Sequence, residues 1–301
     1  MALKRDLPAA PSGTVYALLA YTAWGLLPIY WKLFGQIPPV EVLSHRVLWS
    51  MLFLVSLLWL RQQWQRKPEI AELRQIWQTP RSLGILLATA ALLTFNWGLY
   101  IYGVNTDRVV ETSLGYFVNP LVSVVLGFVF LKERLTRAQG VAVGLAAIGV
   151  GYSVWQFGQV PAIALGLAFS FAFYGLLRKI VPVAPLAGLA IETLLITPIA
   201  FVLVSYWAAT GVGHLGGHWR VNLLFIGAGV VTSLPLLWFN TAAKRLRLST
   251  LGLFQYVAPS LQLLLGVWLY REPFTHIHAV TFGCIWSALL IFSLSAARRR
   301  S

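Results

Sequence analysis

Acidic residues are scarce in this chain. Nine Asp and Glu stand against 23 Lys and Arg in 301 residues, and charged residues of both signs make up only 11%. A soluble domain of this length carries roughly twice that share of charge, so a soluble globular fold is excluded. Cysteine occurs once, as Cys284, which rules out an intramolecular disulfide and leaves the redox compartment open. A P-loop, an HExxH pair, a Cys/His cluster and a G-x-S-x-G turn are all missing, so no motif marks nucleotide hydrolysis, zinc chemistry or an acyl-enzyme. His214 and His218 are four residues apart in a Gly-rich connection, Gly211 to Gly217, and are read as part of a solvated loop. Two histidines alone make a poor metal site. No metal and no cofactor is expected.

What the chain has instead is apolar length. Apolar residues form 58% of it, and runs of about 20, enough to cross some 30 Å of hydrocarbon, follow one another with short connections. Ten are counted: 13–31, 39–60, 82–102, 110–131, 138–157, 161–177, 186–208, 221–243, 250–270 and 276–297. Ten helices with so little between them leave no room for a soluble catalytic domain. The expected fold is an all-α integral membrane protein of ten transmembrane helices.

Charge gives the orientation. With the connections assigned alternately to two sides, one side holds 18 basic residues and the other four, Lys32, Arg108, Arg220 and Arg271, while Arg46 stays within a helix. This is the positive-inside imbalance, with both termini cytoplasmic. The tail Arg298-Arg299-Arg300 then reads as a topology anchor near anionic lipid, and nucleic acid is not an expected partner. Lys4 and Arg5 precede a run too long for a signal-peptide core, so the first helix is expected to be retained. The basic connection 61–81, with Glu69, Glu72, Arg74 and Trp77, reads either as a short amphipathic segment on the inner surface or as a solvated linker.

One phrase occurs twice: Pro, eleven residues, a basic residue, Glu, two residues, Thr. It runs from Pro120 through Lys132-Glu133 to Thr136, and at an offset of 139 from Pro259 through Arg271-Glu272 to Thr275. Trp24-Gly25-Leu26-Leu27 matches Tyr174-Gly175-Leu176-Leu177 at 150, and Glu41 corresponds to Glu192 at 151. Runs one to five and six to ten thus form two units, residues 1–157 and 158–301. An odd number of spans inserts the second unit upside down, the pattern of a secondary transporter. Proline within a helix removes a backbone hydrogen bond and bends the axis, so Pro120 and Pro259 predict paired breaks near a central site. Thr136 with Gln139 predicts a capping box, whereas His278 is not expected to complete one for Thr275. Glu133 and Glu272 are expected to pair with basic neighbours and fix hairpin geometry. Gly140 and Gly144 form a small-xxx-small pair, read as close helix packing within the monomer.

At this point the residues carry a resemblance. Tyr21-Thr22-Ala23-Trp24-Gly25, the stretch Glu41 to Ser50 with His45-Arg46 and Trp49-Ser50, Asn96-Trp97, Asn105-Thr106 and the run Ser113 to Pro120 resemble the RarD family. That family belongs to the EamA-type group of the drug/metabolite transporter superfamily, and the likeness covers nearly the whole chain. It implies a multi-pass permease of the bacterial inner membrane. The family's label comes from an association with chloramphenicol sensitivity, which is not a transport assignment. The second unit departs from the first: it lacks the His-Arg pair, and Val257-Ala258-Pro259 replaces Val118-Asn119-Pro120. It also has two extra residues between Leu251-Gly252 and the proline. The two halves are therefore not expected to meet a solute alike.

Polar groups at mid-helix supply the candidate site. Arg46 lies about 10 Å below the outer end of its helix at 1.5 Å per residue, a costly depth unless it is paired or faces a cavity. Besides a contact with solute, the readings are that it snorkels outward or pairs with Glu41 as a structural bolt. Glu41, His45 and Glu192 are the proton-coupling candidates, since a carboxylate at membrane depth can carry a proton. Tyr21, Trp24, Asn96, Trp97, Tyr100, Tyr116, Asn119, Tyr174, Trp238, Asn240, Gln255 and Tyr256 join Arg46 as an aromatic, weakly polar cavity lining. Pro120, Lys132, Glu133, Pro259, Arg271 and Glu272 are its structural repeat motif. The expected function is export or exchange of a small organic metabolite or drug-like compound by alternating access, with proton coupling as one route. The alternatives are an intramembrane enzyme on a lipid-linked substrate, which needs clustered acid/base residues, and a non-transporting partner subunit. Lipid and a small solute are the expected partners, and no motif specifies an oligomeric state.

Overall fold

The computed structural model describes residues 12–65, 69–106, 108–158, 160–271 and 274–297. Among these the elements are helical, with no strand: α1 Gly13–Lys32, α2 Pro39–Gln65, α3 Glu69–Gln78, α4 Pro80–Asn105, α5 Val109–Leu131 and α6 Arg137–Phe157. There follow α7 Ala162–Ile180, α8 Pro185–Thr210, α9 Trp219–Arg245, α10 Leu248–Phe254 and α11 Val257–Leu264. A π-helical turn, Leu265–Leu269, and α12 His276–Ala297 complete the chain. Nine stretches among the described residues are long and apolar enough to cross a membrane: those in α2, in α4 to α9, in the α10–α11 segment as far as Leu269, and in α12. The α1 helix has 20 residues, but its Tyr and Trp dilute the hydropathy and leave it outside that set. Large apolar side chains point outward, with Phe128, Ile148, Trp155, Phe201, Val202 and Leu290 each more than half exposed, while Arg178, Glu192 and Asn240 are enclosed. Apolar outside and polar inside is the arrangement for lipid. The molecule is a multi-pass membrane protein.

The helices form a closed cycle of contacts. α1 packs on α9, α9 on α2, α2 on α8, α8 on α4, α4 on α7, α7 on α5 and α5 on α10; α11 closes the cycle on α1. Around it, helices from residues 1–157 alternate with helices from 158–301 at every step. α7 also touches α9 across the cycle, and α6 pairs with α12 beside it. Close approach sets the α2–α9 contact: a Cβ on Gly229 would lie 2.3 Å from the Trp49 carbonyl carbon, and Ser50 Oγ donates to the Gly229 carbonyl at 3.1 Å. Small residues let helix backbones meet where lipid supplies no hydrophobic drive.

Several expectations need correction. The proline breaks are not paired. Pro120 lies inside an unbroken α5, whereas the second unit breaks at Gln255 and Tyr256, between α10 and α11. They lie within the stretch between Leu251-Gly252 and Pro259 that is two residues longer than its counterpart in the first unit. Pro259 is the third residue of α11, in the first turn, where its missing N–H costs little. Of the two readings of the connection 61–81, the solvated linker falls and the short amphipathic segment stands as the helix α3, whose Ile76 is buried with Leu86 and Val181. Arg178 and Lys179, assigned from sequence to a connection, form the last turn of α7. Gly140 and Gly144 face away from other helices, since a Cβ at either would meet nothing within 4 Å.

The helix caps follow local chemistry. Thr136 and Gln139 form the expected box, with Gln139 N–H donating to Thr136 Oγ1 at 3.2 Å and Thr136 N–H to Gln139 Oε1 at 3.0 Å. His278 completes the second box after all. Thr275 N–H donates to His278 Nδ1 at 3.2 Å, and His278 N–H to Thr275 Oγ1 at 3.4 Å, because an unprotonated ring nitrogen accepts as an amide oxygen does. Lys132 and Arg271, 139 residues apart, are the two non-glycine residues with positive φ among those described, at 53° and 55°. Both repeat phrases therefore end their helices in the same left-handed turn. Glu272 lies outside the described residues.

Candidate functional site

Arg46 sits inside the helix cycle. Its Nε donates to Thr232 Oγ1 of α9 at 3.1 Å, and its guanidinium lies over the rings of Trp31 of α1 at 4.9 Å and Trp97 of α4 at 5.0 Å. Only a side chain directed inward from α2 reaches all three neighbours. Tyr100 of α4 and Tyr116 of α5 lie within electrostatic range. They are 40% and 43% exposed, so neither ring is sealed by packing. No carboxylate lies within ion-pair distance of Arg46 among the described residues. The bolt to Glu41 is therefore not formed.

Elsewhere in the helix cycle aromatic rings pack together. Tyr21 and Trp24 of α1 meet Phe171 and Tyr174 of α7 and Phe239 of α9, with centroids 5.2–6.2 Å apart. The Tyr174–Phe239 stack is one of the contacts by which α7 touches α9 across the cycle. Beside it runs a short polar chain, in which Gln255 Nε2 donates to Ser123 Oγ at 3.2 Å and Ser123 lies 3.4 Å from Asn119 Oδ1. The Tyr256 hydroxyl donates to the Phe117 carbonyl at 3.2 Å, tying the break in the second unit to α5. A void with room for about one water lies between Trp97, Ser50, Thr193 and Thr232.

At the far end, Glu192 is fully enclosed. Its Oε1 accepts from Thr89 Oγ1 of α4 at 2.6 Å and lies 3.5 Å from Arg178 Nη1 of α7. Its Oε2 accepts from the Tyr174 hydroxyl at 3.3 Å, and Asn240 Nδ2 of α9 donates to that hydroxyl at 3.1 Å. Arg178 Nη2 donates to the Pro185 carbonyl at 3.1 Å. Gly188 makes the room, since a Cβ there would lie 2.0 Å from Arg178 Nη1. Three helices, α4, α7 and α8, thus meet on one carboxylate, and α9 joins them through the Tyr174 hydroxyl.

A ten-run chain with an inward arginine and a closed aromatic core can be compared with known proteins. Residues 11–155 match the EamA-like transporter family. Over 299 residues the chain is 46% identical to an uncharacterized transporter of Vibrio cholerae serotype O1, covering 99% of this chain and 97% of that protein. It is also 46% identical to Protein RarD of Escherichia coli strain K12, over 97% of each. The chain belongs to the RarD family of EamA-type transporters. A solved crystal structure shares the fold, with a TM-score of 0.71 over 96% of this chain and 99% of the other, at 18% identity.

In this RarD-family chain the remaining candidates take separate places. Glu41 accepts from His214 N–H at 2.7 Å and lies 2.8 Å from His214 Nδ1, so it ties the α8–α9 connection to α2 and corrects the reading of His214 as merely solvated. His45 stacks on Phe225 at 4.0 Å. Asn96 donates to the Leu167 carbonyl at 2.9 Å and to Ser170 Oγ at 2.8 Å, a tie between α4 and α7. Trp238 lines an apolar groove between α1 and α9. Glu133 accepts from Leu248 N–H, Ser249 N–H and Ser249 Oγ at 2.6, 2.9 and 2.6 Å, so it caps α10 where basic partners were expected. Trp31, Thr232, Thr89, Arg178 and Phe239 are site residues that sequence reasoning missed. Arg178 stands one turn after Tyr174, so shared helix face was a signal for it.

Proposed function

We propose that this protein is a secondary transporter of the bacterial inner membrane that exports or exchanges a small organic metabolite by alternating access. Ten spans, with α1 the tenth, form two inverted five-helix units at 1–157 and 158–301, and both termini are cytoplasmic. Support comes above all from the alternating contact cycle around Arg46, in which each helix of one unit packs between helices of the other. The shared left-handed turn at Lys132 and Arg271 supports the repeat. Because the units interleave, the moving bodies are groups of helices drawn from both halves. The cavity at Arg46 receives the solute, the Tyr174–Phe239 contact separates it from the other side, and Arg178–Glu192 holds the inner end shut. Glu192 is the proton-coupling candidate, able to bind a proton when Arg178 withdraws. No enzymatic step is proposed.

The test is flux into liposomes containing this protein alone, with a mixed panel of organic acids, amino acids, nucleobases and small drugs, with and without a pH gradient. Saturable flux of at least one compound is expected. Absence of flux for every class from monodisperse, folded protein would contradict the reading.

A further inference from the structure

We propose that the Arg46 cavity takes a small organic monoanion, its oxyanion group on the guanidinium and its flat or apolar body against Trp31, Trp97, Tyr100 and Tyr116. This rests on the transporter reading and names the substrate class of the same site. The first ground is charge. The three buried carboxylates among the described residues, and the partly buried Glu133, are all engaged elsewhere: Glu41 with His214, Glu111 with Arg108 at 2.5 Å and the Ile163 N–H at 2.7 Å, Glu192 with Arg178, and Glu133 with α10. Arg46 therefore keeps a net positive charge about two turns inside the helix cycle. A cationic solute would be repelled there, and a neutral one would leave the charge uncompensated.

The second ground is geometry. The protein contacts fix the guanidinium plane by Nε to Thr232 and by a tryptophan on each of two helices, but the Nη atoms have no hydrogen-bond partner among the described residues and are not sealed from the cavity. A fixed planar fork with both Nη groups free matches a carboxylate or sulfonate bidentately. The third ground is the wall. Two indoles and two half-open phenols favour an aromatic or apolar body over a sugar-like one. A lipid headgroup does not fit, because Arg46 contacts α1, α4 and α9 inside the cycle and faces no bilayer.

The experiment is a thermal-shift titration of the full-length protein in detergent with benzoate, benzenesulfonate, benzamide and benzylamine. Saturable stabilisation by one or both anions, with none by the amide or the amine, is the expected result. Arg46→Gln should raise the apparent Kd for the anion about tenfold to a hundredfold, the scale of a lost charge-assisted pair. Arg46→Lys, which keeps charge but loses the fork, should fall between; it keeps the test sound if Arg46→Gln folds poorly. A shift by benzamide or benzylamine equal to that by benzoate would overturn the proposal, as would benzoate binding unchanged in Arg46→Gln. No shift with either anion at millimolar concentration would overturn it too. Liposome flux of a neutral solute would then leave the transporter reading standing alone, whereas anion binding without flux would sink that reading and keep this one.

Discussion

Arg46 and Glu192 each stand seven residues after the proline that opens its helix, Pro39 of α2 and Pro185 of α8, and these two helices pack against each other. Because the units run in opposite directions in the proposed topology, equal depth from a helix start puts the two residues near opposite ends of the pair. Their charges are opposite and so are their surroundings. Glu192 is sealed against Arg178, Thr89 and Tyr174, while Arg46 faces an open wall of aromatic rings. Counted from the helix starts, Glu192 and Arg46 hold the same position, at an offset of 146. Glu192 is thus paired and enclosed, whereas Arg46 has no carboxylate partner among the described residues.

Breaking the closed end by one partner should be severe. Arg178→Met leaves Glu192 buried without its cation and should cost about 3–5 kcal/mol, while Arg178→Met with Glu192→Leu should recover most of that loss. Thermal unfolding of the three proteins in one detergent checks it. Equal melting temperatures for the single variant and wild type would remove the ion pair from the account.

Two glycines should behave in opposite ways. Gly229→Ala forces a methyl group to 2.3 Å from the α2 backbone and should destabilise by about 1–3 kcal/mol. Gly140→Ala meets nothing within 4 Å and should be neutral or stabilising by up to about 1 kcal/mol through helix propensity. Melting curves and folded yield for the two separate these outcomes.

These cases show which parts of the architecture were open to reading from the sequence. The apolar runs, the Thr136 box and the repeat phrase rest on local rules of length, capping and spacing, and the described helices follow them closely. The break at Gln255-Tyr256 was not read, because the local signal puts the breaks at the prolines. Partner choice was not legible either. Which face of α7 carries Arg178, or that His214 reaches back to Glu41 across 173 residues, depends on how the units interleave, and neither spacing nor hydropathy encodes that. The Gly140 pair misled for the same reason: a small-residue stripe permits close packing without specifying a partner.

Glu133 should act on α10 more than on its own helix. Glu133→Ala removes three acceptor contacts at Leu248 and Ser249, and amide hydrogen exchange at residues 248–251 should quicken about tenfold or more. Exchange unchanged there, with loss of protection confined to α5, would show that the carboxylate serves the local hairpin instead.

Orientation is open to a direct assay. With both termini cytoplasmic, a C-terminal green fluorescent protein fusion should fluoresce and a C-terminal alkaline phosphatase fusion should be inactive. The reverse pattern would turn the Arg46 cavity towards the cytoplasm and exchange the two ends of the transport cycle.

The central claim is that Arg46 binds the solute that moves. Uptake of radiolabelled benzoate by liposomes containing either wild-type protein or Arg46→Gln, matched for folded content, tests it most directly. The account predicts saturable uptake by wild type, with Arg46→Gln reduced about tenfold or more at limiting benzoate. Equal uptake by the two proteins, or wild-type uptake no faster than that of empty liposomes, would contradict it.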